Sequence, residues 1–250
     1  MELFNKNNTI KKDAERASKR SIFTLFDTPN RADNFCVKAA DLYLDYSKQN
    51  ITKTELDNLI SWAKRNELAQ KINAMFSGDK INNTEQRAVL HTVLRAPASV
   101  QAQILGDEAV AVQIAEQRMA QIVDDVYQGR LLSAAGKKFT DVLALGIGGS
   151  YYGIKVGLSA LHPYHCTGLK VHVLANVDGA AVTEKLEQLN ADTTLVIIIS
   201  KTFTTQETLL NAKAIKQWML AERNDSSAIT KQWFAISSNI EKAQAFGIDK

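Results

Sequence analysis

The stretch Thr194-Leu195-Val196-Ile197-Ile198-Ile199-Ser200-Lys201-Thr202-Phe203-Thr204-Thr205-Gln206-Glu207-Thr208 joins an unbroken aliphatic run to a loop dense in hydroxyls. The run from Leu195 to Ile199 is far short of the roughly 20 residues a membrane-spanning helix needs, so it reads as a strand. A strand apolar on both sides belongs to a parallel sheet covered on both faces. Beyond it, Leu209, Ala212, Ile215, Trp218 and Met219 recur at helical spacing, which predicts an amphipathic helix from about Thr205 to Arg223.

The same strand, loop and helix texture extends on either side. Short β-branched runs predict further strands at Asp141–Leu145, Leu169–Leu174 and Trp233–Ser237, with helices at about Tyr151–Leu161, Gly179–Leu189 and Ile240–Phe246. Intervals of about 25 to 35 residues between strands are those of βαβ units. Upstream, the pattern is helical. Leu56, Leu59, Ile60, Ala63, Leu68, Ile72 and Met75 change phase near Asn66, predicting two helices between Lys53 and Phe76, the first capped by Thr52 or Thr54. Val110, Ile114, Ala115, Met119, Ile122, Val123 and Val126 predict one long amphipathic helix from Asp107 to Tyr127, stopped by Gly129. The stretch Gly136-Lys137-Lys138 is the expected boundary between a mostly helical segment, residues 1–136, and an α/β domain, residues 137–250.

Composition excludes several classes. With 45% hydrophobic and 23% charged residues, the chain has an ordinary globular balance. Its 30 basic and 27 acidic residues are interspersed, so the net charge of +3 draws no stripe for a nucleic-acid backbone. Met1-Glu2-Leu3-Phe4-Asn5-Lys6 has no signal-peptide apolar core, and Cys36 and Cys166 stand far apart, both of which suit a cytoplasmic protein with free thiols. Neither nucleic acid nor membrane is expected as a partner.

In an open parallel sheet, ligands bind where the carboxyl ends of the strands feed helix amino termini. Two predicted loops lie there. Gly146-Ile147-Gly148-Gly149-Ser150 lets the backbone approach an anion, although a tight strand-to-helix turn needs the same glycines. Tyr151 stands where a dinucleotide fingerprint requires glycine, and Ser200 stands where the phosphate loop of nucleotide hydrolases requires one. The second loop, Ser200 to Thr208, carries more hydroxyls than a cap uses. Thr204 and Glu207 have capping-box spacing, which assigns both to the helix start. A phosphate monoester there can accept from Ser200, Thr202, Thr205 and the first-turn amides, with Lys201 supplying the balancing charge. No metal or cofactor is needed.

At these residues the sequence resembles the phosphoglucose isomerase family, whose serine-lysine-threonine-phenylalanine-threonine-threonine-x-glutamate-threonine signature runs in full from Ser200 to Thr208. Thr84 to Thr92 with Leu94-Arg95, the glycine loop Gly146–Ser150 and the turn Asn176-Val177-Asp178-Gly179 are similar to further family motifs, in the family's order. Tyr151-Tyr152-Gly153 and Ala180 depart from it, where aspartate-leucine-glycine and threonine are common. The resemblance implies a three-layer α/β/α sandwich of the sugar-isomerase (SIS) type, probing sugar phosphates with Gly149, Ser150, Ser200, Lys201, Thr202 and Thr205. It implies interconversion of glucose 6-phosphate and fructose 6-phosphate through a cis-enediol, in a homodimer at full length. The family's catalytic glutamate, arginine, histidine and lysine are expected beyond residue 250, so no catalytic residue is assigned here, and the chain alone is expected to be inactive. A non-catalytic phosphosugar-sensing SIS module is the alternative, and a dehydrogenase is a distant third on fold analogy.

Other chemistry-bearing residues read as structural. His162-Pro163-Tyr164-His165-Cys166 follows a helix and reads as a surface turn rather than a metal cluster. His91 reads as a core histidine on a helical stretch. Asp124-Asp125 reads as a solvated helix face, because adjacent helix residues point in different directions.

Overall fold

The computed structural model describes residues 8–165 and 168–249, so the amino-terminal Met1–Lys6 stretch and Cys166 lie outside the described residues. The chain divides into two compact units, Met1–Ala111 and Val112–Lys250. The division falls inside a long helix, upstream of the boundary expected at Gly136. Val126 and Leu131, which precede that boundary, already pack against the sheet of the second unit.

The first unit holds α1 (Asn8–Lys19), a short α2 (Arg31–Asn34), a hairpin of β1 (Cys36–Ala39) and β2 (Leu42–Asp45), then α3 (Lys53–Arg65), α4 (Leu68–Phe76) and α5 (Ala98–Leu105). Thr52, not Thr54, caps α3. Its hydroxyl accepts from the Glu55 amide at 3.2 Å while the Glu55 carboxylate accepts from the Thr52 amide at 2.8 Å, a reciprocal capping box. The expected phase change appears as a break at Asn66 and Glu67, where Glu67 takes a left-handed φ of 57°. The hairpin was not expected in a helical segment. Its turn residues Ala40 and Asp41 have φ of 49° and 61°, the geometry of a tight hairpin turn, yet neither is the glycine or asparagine that advertises one. Arg31 is 4% exposed beneath it. Its guanidinium donates to the Ser47, Gln49 and Ile51 carbonyls at 2.7 to 3.0 Å and lies 4.1 Å from the Phe35 ring centre.

His91 corrects its assignment. The residues around it form turns and a short 3₁₀ segment, Val93–Arg95, and His91 is exposed rather than core. Arg95 donates to its carbonyl at 2.6 Å, so a non-helical turn is what this backbone builds.

The long helix α6 (Glu108–Gln128) ends at Gly129, whose φ of 69° breaks the helix as expected. Its apolar stripe is largely open, since Ile114, Met119 and Val123 are each more than half exposed. Asp124 and Asp125 are not merely solvated, because the Arg130 guanidinium grips both, at 2.6 Å for Asp125. One planar fork from beyond the helix end bridges the two adjacent carboxylates.

Beyond α6 come β3 (Asp141–Leu145), α7 (Gly149–Ala160), β4 (Lys170–Leu174), α8 (Gly179–Leu186), β5 (Thr194–Ile199), α9 (Gln206–Arg223), α10 (Ser227–Gln232), β6 (Trp233–Ile236) and α11 (Ile240–Phe246). The short helix α10 was not expected. The four strands form a parallel sheet in the order β4-β3-β5-β6. Right-handed crossovers therefore put α7 on one face and α8 and α9 on the other, as the packing of α8 against α9 requires. This is the three-layer α/β/α arrangement.

Strand alternation divides the core. Leu143, Leu145, Val196 and Ile198 pack with Ala212, Ile215 and Met219 of α9 and with Trp233, while Val142 and Leu195 pack with Phe139 on the opposite face. Gln232 is fully buried and fully used. Its Oε1 accepts from the Ala134 amide at 3.1 Å and its Nε2 donates to the Ala191 and Thr194 carbonyls, each at 2.9 Å.

Candidate functional site

Strand β3 pairs with β5 so that Leu145 stands beside Ile198. The glycine loop after β3 and the hydroxyl loop after β5 consequently emerge side by side at the carboxyl edge. Their helices leave to opposite faces, because β3 steps outward to β4 and β5 outward to β6. This is the topological switch point at which open parallel sheets bind ligands.

The glycine loop is shaped by two positions. A Cβ at Gly146 would stand 2.6 Å from the Ser150 carbonyl oxygen, so only glycine permits this closeness of turn and strand end. Gly148 takes φ 58° and ψ −122°, a conformation that side chains oppose, and is the N-cap of α7. The helix therefore begins at Gly149, two residues before the expected start at Tyr151. Gly149 and Ser150 fall in its first turn at the carboxyl edge, where the Ser150 and Tyr151 amides already donate to the Ile147 and Gly148 carbonyls at 3.1 and 3.0 Å. A cleft of about 430 Å³ opens on the other flank of this loop, among Ile147, Tyr151, Tyr152, Asn176 and Lys185. None of Ser200, Lys201, Thr202 or Thr205 lines it.

In the hydroxyl loop, Ser200 is 3% exposed, donates its amide to the Ile236 carbonyl at 3.1 Å and brings its hydroxyl within 3.2 Å of Thr205 Oγ1. Thr202 and Thr204 pair hydroxyl to hydroxyl at 2.5 Å on the exposed side, and Lys201 is exposed beside them. Among the sequence-predicted residues, then, Ser200 and Thr205 come together directly. Lys201 and Thr202 stand in the same turn, and Gly149 and Ser150 line the neighbouring strand end.

The capping box expected of Thr204 and Glu207 does not form. Thr205 is the N-cap of α9 and its side chain makes no cap bond, while Thr204 turns to Thr202. The reason lies in Phe203. It takes a left-handed φ of 51°, costing about 1–2 kcal/mol for a residue with a Cβ, and buries its ring to 3% exposure. That turn rotates Thr204 away from the helix axis and moves the helix start one residue on. Because the first intrahelical bond runs from the Leu209 amide to the Thr205 carbonyl, the amides of Gln206, Glu207 and Thr208 precede the helical ladder. The Thr205 hydroxyl is likewise spared from capping. Glu207 is exposed in the first turn.

Three supports were not read from the sequence. The Lys201 carbonyl accepts from the Ser238 amide at 3.0 Å, the Ser238 hydroxyl at 2.6 Å and the Ser237 hydroxyl at 3.2 Å. Asn211 is buried in α9 and donates to the Asn176 carbonyl at 3.0 Å, tying this helix to the turn after β4. Phe246 of α11 meets the Phe203 ring edge-on at 5.9 Å. Ser237-Ser238 carried the one available signal, two small hydroxyl residues at the carboxyl end of a predicted strand. The other two depend on which helices meet.

The remaining candidates stay apart from this site. His162–Tyr164 forms an exposed 3₁₀ turn, with the His162 and His165 rings 5.2 Å apart. Among the described residues no cluster of three histidine, cysteine or acidic side chains could hold a metal, and no helix is long and apolar enough to cross a membrane.

Comparison with known proteins converges on one family. The sequence profile of phosphoglucose isomerase matches residues 45–250. Glucose-6-phosphate isomerase 2 of Colwellia psychrerythraea is 58% identical over 245 residues, covering 94% of this chain and 44% of the relative. Glucose-6-phosphate isomerase of Shewanella pealeana is 45% identical over 227 residues, covering 90% and 42%. The chain thus spans less than half the length of the curated relatives it matches. The crystal structure of a glucose-6-phosphate isomerase from Chlamydia trachomatis superposes with a TM-score of 0.69 over 94% of this chain and 45% of that one, at 23% identity, which supports the SIS-type fold.

Proposed function

Because the chain belongs to the phosphoglucose isomerase family, we propose that it supplies the sugar-phosphate anchor of an enzyme interconverting glucose 6-phosphate and fructose 6-phosphate. The observation that carries this reading is the pair of loops at the switch point. Ser200, Thr202 and Thr205 offer hydroxyls, Gln206 to Thr208 offer free amides at the positive end of α9, and Lys201 offers a charge. A phosphate dianion accepts from all of these, and Gly149 and Ser150 close its other side.

Anchoring the phosphate fixes the far end of the sugar. The rest of the molecule is then held for ring opening and for proton transfer between carbons 2 and 1 through a cis-enediol. Those steps need a carboxylate base and a cation facing the developing oxyanion. By family resemblance they come from sequence outside this segment, in a cytoplasmic homodimer at full length. The chain's own contribution is binding and orientation, which lowers the entropic part of the barrier.

Two measurements test the reading. Fructose 6-phosphate titrated into the 250-residue chain should give weak saturable binding that Ser200→Ala or Lys201→Ala weakens about tenfold, the loss of one charge-assisted contact. A coupled assay should find no isomerase turnover. Turnover abolished by one substitution within this chain would refute the division of labour. Tight binding without turnover would favour the phosphosugar-sensing alternative, and binding indifferent to Ser200 and Lys201 would refute the anchor.

A further inference from the structure

The phosphate loop is bent around a residue that would not choose its own conformation. Phe203 has a φ of 51° and a buried ring, a backbone state that bulky side chains adopt only where surrounding structure holds them. What holds it comes from one later segment. At the near end, Ser237 and Ser238 place three donors on the Lys201 carbonyl. At the far end, the Phe246 ring meets Phe203 edge-on at 5.9 Å and Trp233 at 5.8 Å.

Phe246 is itself fixed. The Lys216 ammonium of α9 donates to the Phe246 carbonyl and stands 4.5 Å from the centre of its ring. The chain then turns at Gly247, with φ 108°, where a Cβ would press on Lys216 Nζ at 3.3 Å. Ile248 enters the core just beyond. Lys216 lies on the same helix whose amino terminus faces the ligand, nearly three turns along it, so one rigid element carries both the first-turn amides and the clamp.

We propose that Phe246, clamped by Lys216, is a positioning residue that holds the Ser200–Thr205 loop in its anion-binding shape through the ring of Phe203. The inference rests on the reading of that loop as the phosphate anchor. Without the bracket, Phe203 relaxes toward negative φ, Thr204 swings onto the helix axis as its capping-box spacing favours, and its hydroxyl takes up the Glu207 amide, one of the three that the ligand would use. The loop then caps its own helix instead of binding phosphate.

The test compares three variants of the 250-residue chain by amide hydrogen exchange and by fructose 6-phosphate titration. Phe246→Leu keeps apolar bulk but removes the edge-on ring, Lys216→Met keeps the stem but removes the clamp, and Leu143→Val weakens the sheet core away from the loop. The first two should speed exchange at the Phe203 amide, which is bonded to the Ser200 carbonyl, by about tenfold relative to the core variant at matched distance below its melting point. Sugar-phosphate affinity should fall in the same two variants only. Unchanged Phe203 protection in both overturns the inference, as does faster exchange with unchanged affinity. If native chain shows no titration response, the phosphate reading fails by itself, and the exchange data alone decide whether the bracket shapes the loop.

Discussion

Glu55 shows what one residue can hold together. Its carboxylate closes the capping box of α3 and also accepts from both terminal nitrogens of the Arg20 guanidinium, with one contact at 2.9 Å, while 5% of the residue stays exposed. The Arg20 hydrogen bond, with the Thr52 amide and hydroxyl, holds its pKa down to about 2 from 4.5, against a burial effect that acts upward. A depressed carboxylate contributes its full stabilisation above the unfolded value and loses it as pH falls through the folded one. The first unit should therefore lose stability between about pH 4.5 and 2. Glu55→Gln should cost about 2–3 kcal/mol at neutral pH and flatten that acid limb in thermal melts followed against pH. An equally steep acid limb in the variant would show that other carboxylates govern it.

At the scale of elements, Gln232 shows how a buried polar group fixes an interface between loops and strands. It ends α10, begins the approach to β6, and joins the start of β5 to the segment before β3. Gln232→Leu fills the volume but leaves an amide and two carbonyls unpaired in the core, so we expect a loss of at least about 2 kcal/mol in denaturant unfolding. A near-neutral result would mean that water reaches these groups. Legibility varied among elements for definite reasons. Strands β3 and β5 match their predicted limits residue for residue, because the apolar runs Val142–Leu145 and Leu195–Ile199 that cross the covered sheet stand out from the polar loops around them. The hairpin β1–β2 was invisible, since Leu42, Tyr43 and Leu44 are all exposed and its turn lacks glycine. In the loop from Ser200 to Thr208 the hydroxyl-rich composition was legible, but the helix starts one residue beyond its expected place, after a left-handed Phe203 whose ring meets that of Phe246 forty-three positions away.

For the molecule as a whole, the unburied surface has the largest consequence. Val110, Ile114, Met119, Val123 and Tyr127 along α6 are each more than half exposed, a contiguous apolar stripe of the kind that drives association. Sedimentation of the 250-residue chain should show concentration-dependent self-association, and Met119→Lys with Val123→Lys should reduce it severalfold. A monodisperse monomer in the parent chain would argue against it. The sequence by itself determined the parallel sheet, its βα order, the hydroxyl-rich character of the Ser200–Thr208 loop and the family, because period, apolar runs and short motifs are local properties of the chain. Only the tertiary structure decided that β3 and β5 are neighbours, that the two loops emerge side by side at the switch point, and that Thr205 rather than Thr204 is the N-cap of α9. Those outcomes depend on strand order and on contacts between distant residues such as Phe203 and Phe246, where burial of one ring overrides the capping preference written in the loop.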